Sequence, residues 1–260
     1  MQLISLIDRV KNSVKNKNKN LFFLHIPKTG GTSINEAFLS KYKSLLPRST
    51  YSIDSEASYN AAKVLYEDRN KTVRDRDIQK IRQHLLMIEM LRETKYISGH
   101  IAYEENIWEN SKNNYQYVTI LRNPIKRFIS HYLYNKTKDG DYMGINDDLA
   151  QFIHSPRGKS LGSIYIKFIG GLSEHEDYRS GKSIEKAQEN LHRFNIVGFL
   201  EYLELFTSKI ETSTYLKLNI PHKRKTSVQI PTLSEDILKK IEEICEPDIE
   251  LYNYAIKSFT

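Results

Sequence analysis

The sequence predicts a three-layer α/β fold: a central parallel sheet flanked by helices, in a P-loop-like arrangement. Three observations carry that prediction. Apolar runs with strand character, Leu21 to His25, Tyr115 to Leu121 and Asn195 to Leu200, are separated by segments of helical periodicity. Strands alternating with helices imply a parallel sheet covered on both faces. The first run passes through two adjacent glycines straight into a helix, and the second ends in Arg-Asn-Pro at the head of another.

Taken in order, the chain opens with a short apolar run, Leu3 to Ile7, and a polar, repetitive stretch, Lys11 to Asn20. A short amphipathic helix and a solvated tether account for residues 1–20, and residues 21–260 form a single domain. Thr32 to Leu39 places Ile34, Ala37 and Phe38 on one helical face. From Thr72 to Glu93, Val73, Ile78, Ile81, Leu85, Ile88 and Leu91 recur at roughly helical spacing. Lys95 to Ser98 is a short strand ending at Gly99-His100. Tyr115 to Leu121 is rich in β-branched and aromatic residues. Asn123 is a good N-cap and Pro124 fits the first position of a helix running to about Tyr134. Further helices are expected near Asp147 to Ile153, Ser163 to Ile169, Ser183 to Phe194 and Glu201 to Leu216, with two more after Ser234.

At 260 residues, 39% hydrophobic and 27% charged, the chain reads as an ordinary globular protein. The apolar run at the start is too short for the core of a signal peptide, and no stretch approaches a membrane span. The expectation is a cytoplasmic protein, or a catalytic piece of an anchored parent. A single cysteine, Cys245, excludes an internal disulfide and a thiol redox pair, and its apolar helical surroundings mark it as a packed thiol. No cluster of Asp, Glu or His has ligand spacing, so no metal is expected. The net charge of +7 favours anionic partners. The basic residues are dispersed without a recognition motif, so nucleic acid is not an expected partner.

The segment His25-Ile26-Pro27-Lys28-Thr29-Gly30-Gly31-Thr32-Ser33 is the most informative in the chain. Adjacent glycines let successive amides point into one concavity. The helix that begins there turns free N–H groups and its positive dipole end to the same place. Lys28 adds a point charge, and Thr29, Thr32 and Ser33 add hydroxyls. In a Walker A loop the lysine follows the glycines and precedes the magnesium-binding Ser or Thr. Here it comes first, which weakens a reading as a nucleotide kinase.

A second candidate anion site is Arg122-Asn123-Pro124, with Ser130 eight residues after Arg122. An arginine at a strand's carboxyl end and a serine two turns into the next helix can reach one phosphate, and the guanidinium fork suits such a group. Two anion sites on one sheet fit a ligand phosphorylated at both ends. His100, after the strand ending at Gly99, is a candidate general base, because a neutral imidazole can accept a hydroxyl proton near pH 7. Glu104 and Glu105 follow; they either assist it or form a solvated pair. His131, next to Ser130, reads as structural or surface.

These segments resemble the carbohydrate sulfotransferases that use 3′-phosphoadenosine 5′-phosphosulfate (PAPS), in particular the heparan and dermatan uronyl branch. The resemblance implies direct transfer of a sulfuryl group to an acceptor hydroxyl, on a saccharide or glycan, with 3′-phosphoadenosine 5′-phosphate (PAP) as the product. It further implies that Lys28, Thr29, Gly30, Gly31, Thr32 and Ser33 hold the 5′ end, that Lys28 stabilises the leaving phosphate, and that Arg122 and Ser130 hold the 3′ phosphate. In this resemblance His100 is the base, and Ser98 stands where the family carries a second histidine. Val197 to Glu201 resembles a segment near the adenosine, and Lys223-Arg224-Lys225 with Thr226 and Ser227 resembles a closing basic loop. The rival readings are a P-loop-like nucleotide kinase and a basic nucleic-acid-binding protein.

Overall fold

The computed structural model describes residues 20–45, 49–66, 75–138, 144–171, 177–220 and 233–260. The predicted N-terminal helix and tether, up to residue 19, lie outside these residues, as does the basic loop at Lys223 to Ser227.

Among the described residues, five parallel strands form one sheet in the order β2-β3-β1-β4-β5. They are β1 (Asn20–Leu24), β2 (Thr50–Ser52), β3 (Tyr96–Gly99), β4 (Tyr115–Leu121) and β5 (Ile196–Phe199). All residues of β1, β3, β4 and β5 are buried, because both faces of the sheet are covered. Alternate side chains separate the two cores. Leu21 and Phe23 point to the side of Ile34, Ala37 and Phe38 on α1 (Gly31–Leu45) and of Phe206 and Ile210 on α10 (Leu203–Thr214). Phe22 and Leu24 point to the opposite core. That core is built by α3 (Asp75–Leu91), α8 (Ile164–Gly170), α9 (Gly181–Leu191) and α11 (Glu235–Phe259). The three-layer architecture read from the sequence is therefore present.

The remaining described α-helices are α2 (Ser55–Tyr66), α4 (Glu105–Ser111), α5 (Pro124–Lys136), α6 (Leu149–Phe152) and α7 (Pro156–Leu161), and a 3-10 turn spans Leu200–Tyr202. A satellite core joins α5, α6, α7 and the first half of α11. There Cys245 is fully buried, and burial pushes its thiol up to about 12, as expected of a packing residue. Among the described residues, no helix is long and apolar enough to cross a membrane.

The C-terminal segment corrects the sequence reading: it is one helix of 25 residues, with Pro247 inside it. Proline deprives the carbonyl four residues back of its partner and tends to break the helix. Here Arg179 reaches across, and its Nη2 and Nη1 donate to the carbonyls of Glu243 and Ile244, each at 2.8 Å. The helix continues because another element supplies the missing donors. β2, α2, α4 and α7 are additions to the reading.

Strand order locates the site. From β1 the chain runs to β2 at the sheet edge, returns to β3 between them, then crosses over to β4 and β5 on the other side. In open parallel sheets such a switch point leaves a crevice at the carboxyl ends of the strands. The loops after β1, β3 and β4 open there, and they carry Lys28, His100 and Arg122.

Candidate active site

The loop after β1 is held in an unusual backbone shape. Lys28 and Gly30 have φ of +69° and +80°, which puts both in the left-handed region. For lysine that conformation costs about 1–2 kcal/mol. Alternation of left- and right-handed residues turns successive N–H groups inward to form an anion nest. The two glycines serve different ends. Gly30 supplies the positive φ, and a Cβ there would come within 2.7 Å of Leu200. At Gly31 a Cβ would lie 2.1 Å from the His25 ring, so glycine leaves the room that this imidazole fills. Thr29 is fully buried and its hydroxyl donates to the Ile26 carbonyl at 2.9 Å. Its side chain therefore braces the loop, and only its main-chain N–H remains for a ligand. Thr32 is exposed and Ser33 half-buried in the first turn of α1. Among the described residues, the hydroxyls of Thr32, Ser33 and Ser130 have no protein hydrogen bond.

Arg122 joins the second site to the first. Its Nη1 donates to the Lys28 carbonyl at 3.2 Å. Its own backbone is clasped by Tyr165 of α8, whose hydroxyl accepts from the Arg122 N–H at 2.9 Å and donates to the Arg122 carbonyl at 2.5 Å. Glu201, just after β5, accepts from the Asn123 N–H and from Tyr252, and attracts the guanidinium electrostatically. Asn123 caps α5 through Lys126 N–H, with Pro124 at its start, as the sequence predicts. Ser130 sits half-buried on that helix, one turn before Tyr134. The Lys28 ammonium rests 3.7 Å from the centre of the Tyr134 ring, a cation–π contact. Burial, then Arg122 and Lys138, lowers Lys28 to about 8. Each of these causes disfavours the charge, so the ammonium sits in a field that an anion would relieve.

His100 is half-buried at the end of β3. Its Nδ1 lies 2.5 Å from the His25 carbonyl. A carbonyl only accepts, so Nδ1 carries the proton and Nε2 keeps the lone pair a base requires. Burial is the main influence on this imidazole and lowers it to about 4, so it is neutral at pH 7. The His25 ring lies 4.3 Å from the His100 ring, tilted by 45°, and is itself held well below the ordinary range by burial. Ser98 is buried and bonded to Ser52 at 2.9 Å. The second imidazole at this site thus comes from the residue that follows β1. That was not foreseen, because the neighbourhood arises from strand pairing and not from spacing in the chain.

Glu104 and Glu105 are committed elsewhere. Glu104 caps α4 by accepting from Ile107 N–H, and Glu105 pairs with Arg193 and Tyr103. Neither is left over as an alternative base. His131, read as structural or surface, is half-buried and within 2.6 Å of the Asn135 side chain. It lines a cleft of about 920 Å³ beside His100, together with Tyr134, Asn135 and Lys138. The spacing 131, 134, 135 is one stripe of α5, with Lys138 just past its end, a signal the sequence does carry. The far wall comes from the start of α2, with Asp54, Ser55 and Tyr59, and Arg157 and Lys167 close it. Gly198 is a packing residue of the core strand, since a Cβ there would lie 2.1 Å from Phe206. Among the described residues, no group of His, Cys, Asp and Glu could hold a metal ion.

A strained loop, an arginine bonded to it, and a neutral histidine beside a cleft meet at the carboxyl ends of the strands of this α/β protein. The sulfotransferase family model matches residues 11–255, and the chain belongs to that family. It is 25% identical over 187 residues to heparan sulfate 2-O-sulfotransferase 1 of Gallus gallus, covering 63% of this chain and 52% of that protein. The Mus musculus protein of the same name is 24% identical over the same extent. That of Pongo abelii is 21% identical over 262 residues, covering 92% of this chain and 70% of its own. In the first of these matches the chain spans about half the length of its curated relative. Family membership does not favour the kinase and nucleic-acid readings.

Proposed function

We propose that the chain transfers a sulfuryl group from PAPS to a hydroxyl of a saccharide acceptor. The observation that carries this is the convergence of Lys28, His100 and Arg122 at the carboxyl ends of three adjacent strands, with Arg122 bonded to the Lys28 carbonyl. The donor set suits a ligand with an anion at each end. Lys28, the loop amides, Thr32 and Ser33 would hold the 5′ end, and Arg122 with Ser130 the 3′ phosphate. When bound, PAPS supplies an activated sulfuryl group. His100 Nε2 then takes the proton of the acceptor hydroxyl, while its Nδ1–H stays on the His25 carbonyl. Lys28 leaves the Tyr134 face and gives its charge to the departing oxygen. Preorganised donors of this kind account for most of the rate enhancement. The polar cleft beside His100 is the acceptor's place, and the names of the relatives support a saccharide.

The test is calorimetric titration with PAP beside ADP and ATP, with and without magnesium. Metal-independent binding of PAP, with ADP much weaker, is expected. Equal or better binding of magnesium-ATP would overturn the reading. In Arg122→Ala, PAP affinity should fall by about 10- to 100-fold, the worth of a lost charge-assisted hydrogen bond; unchanged affinity would remove Arg122 from the 3′ site.

The pH dependence follows from two groups. His100 must be neutral and is protonated only near 4, whereas Lys28 must be charged and loses its proton near 8. The kcat/KM profile should therefore be flat from about pH 5 to about pH 7 and fall on both sides. A rising limb centred near the ordinary imidazole value would assign the base to a different, solvated group.

A further inference from the structure

We infer that Arg82 and Gln79 are positioning residues for His100, clamping its main chain so that the imidazole faces the crevice. The inference rests on the proposed role of His100 as base. Both side chains lie on one face of α3, three residues apart, and are 5% and 6% exposed. Arg82 Nη1 and Gln79 Nε2 donate to the His100 carbonyl at 2.9 and 3.1 Å. Two donors occupy both lone pairs of an acceptor that lies just past the end of β3. Gln79 also uses its other end, since Oε1 accepts from the Ala102 N–H at 2.8 Å. One amide thus spans the backbone on both sides of Ile101. With Nδ1–H on the His25 carbonyl, His100 is held at the main chain from α3 and at the ring from the loop after β1.

Arg82 does more than fill a gap. Its Nε donates to Ser58 Oγ at 2.8 Å and its Nη2 to the Ser55 carbonyl at 3.2 Å. Ser55 begins α2 and lines the cleft. One guanidinium therefore ties the acceptor wall to the residue that takes the proton, using donors in three directions. Lysine has no such fork and cannot replace it. A buried arginine whose only task was to join α2 to α3 would not need the carbonyl of His100.

The test reads His100 directly. In the full chain, its imidazole titration and tautomer are followed by NMR for the native sequence, Arg82→Lys, Arg82→Met and Gln79→Met. The groups facing it are His25, Arg82 and His131. The native protein should show the Nδ1–H tautomer. In Arg82→Met the titration should move up by about one pH unit, because a nearby positive charge is lost. In Gln79→Met, which keeps that charge, the tautomer should become mixed without the same movement. With heparan sulfate as probe acceptor, both should lower kcat about tenfold or more at an unchanged KM for PAPS. If Arg82→Met does not fold, Arg82→Lys and Gln79→Met carry the test. A purely structural role would lower thermal stability and leave titration, tautomer and kcat where they were; that result overturns the inference. PAP calorimetry on the same samples separates the two failures. Normal PAP binding with an unmoved His100 defeats this inference alone, whereas absent PAP binding in the native chain defeats the functional reading.

Discussion

Replacement of Lys28 by alanine is expected to lower kcat by about 10²–10³-fold, the usual cost of removing one preorganised donor from a developing charge. PAP affinity should change far less, because the loop amides, Arg122 and Ser130 remain. The structure adds a second signature. Lys28 is held at φ +69°, where a residue with a Cβ is strained. Lys28→Gly should therefore match alanine in lost turnover while raising the melting temperature, since glycine adopts that conformation without penalty. Sulfuryl transfer from labelled PAPS, run beside a thermal melt, reads both effects. Near-native turnover in either variant would sink the assignment of this loop. A loss of stability in Lys28→Gly would mean that the left-handed backbone is no strain at all.

The parts of the fold that the sequence made legible are those fixed by local chemistry. β1, β4 and β5 are short, apolar and bounded by turn residues, and burial on both faces leaves no polar alternation to confuse them. α5 was announced by Asn123 and Pro124, and the structure places the cap bond on Lys126 N–H. β2 was invisible because it is three residues long, polar and at the sheet edge. α2 buries only Ser58 and Ala62, so its inner face carries no apolar stripe to read. The single C-terminal helix was missed for another reason. The donors that rescue it at Pro247 come from Arg179, 65 residues away from Ile244.

The candidate site divides along the same line. The places of Lys28, Arg122 and Ser130 in the fold were legible because each follows a strand or sits at a fixed offset in a helix, and topology then gathers the strand ends; their roles are those proposed above. His100 was legible as a histidine after a strand, but not its tautomer, which depends on the carbonyl of His25 across the β1–β3 pairing. Arg82 and Gln79 looked like ordinary polar positions of an amphipathic helix. Only the packing of that helix under the end of β3 turns them inward. Thr29 ran the other way, since a hydroxyl in an anion loop is expected at the ligand, and here it serves the loop.

The second large effect lies behind Arg122. Asp248 of α11 and Arg127 of α5 are both fully buried, with Nη2 and Oδ2 3.4 Å apart. Asp248 Oδ1 accepts from the N–H groups of Tyr165 and Ile166 at 2.9 and 3.3 Å. It thereby heads α8, whose own N-cap residue Ser163 makes no capping bond. Arg127 Nη2 donates to the Leu161 carbonyl, but Nε and Nη1 have no partner among the described residues. Asp248→Ala would strand this guanidinium and uncap the helix that holds Tyr165. The expected cost is about 3–5 kcal/mol, the penalty for breaking a buried ion pair from one side. The variant should also bind PAP more weakly, because Tyr165 clasps the Arg122 backbone. Burial outweighs Arg127 and raises the Asp248 carboxyl to about 7, so desolvation is the larger influence on this group. Removing both charges should for that reason be gentler than removing one, and Arg127→Met with Asp248→Leu should recover part of the lost stability. Urea unfolding at constant slope measures each variant. A double variant no more stable than Asp248→Ala would show that the helix cap, and not the stranded charge, carries the cost.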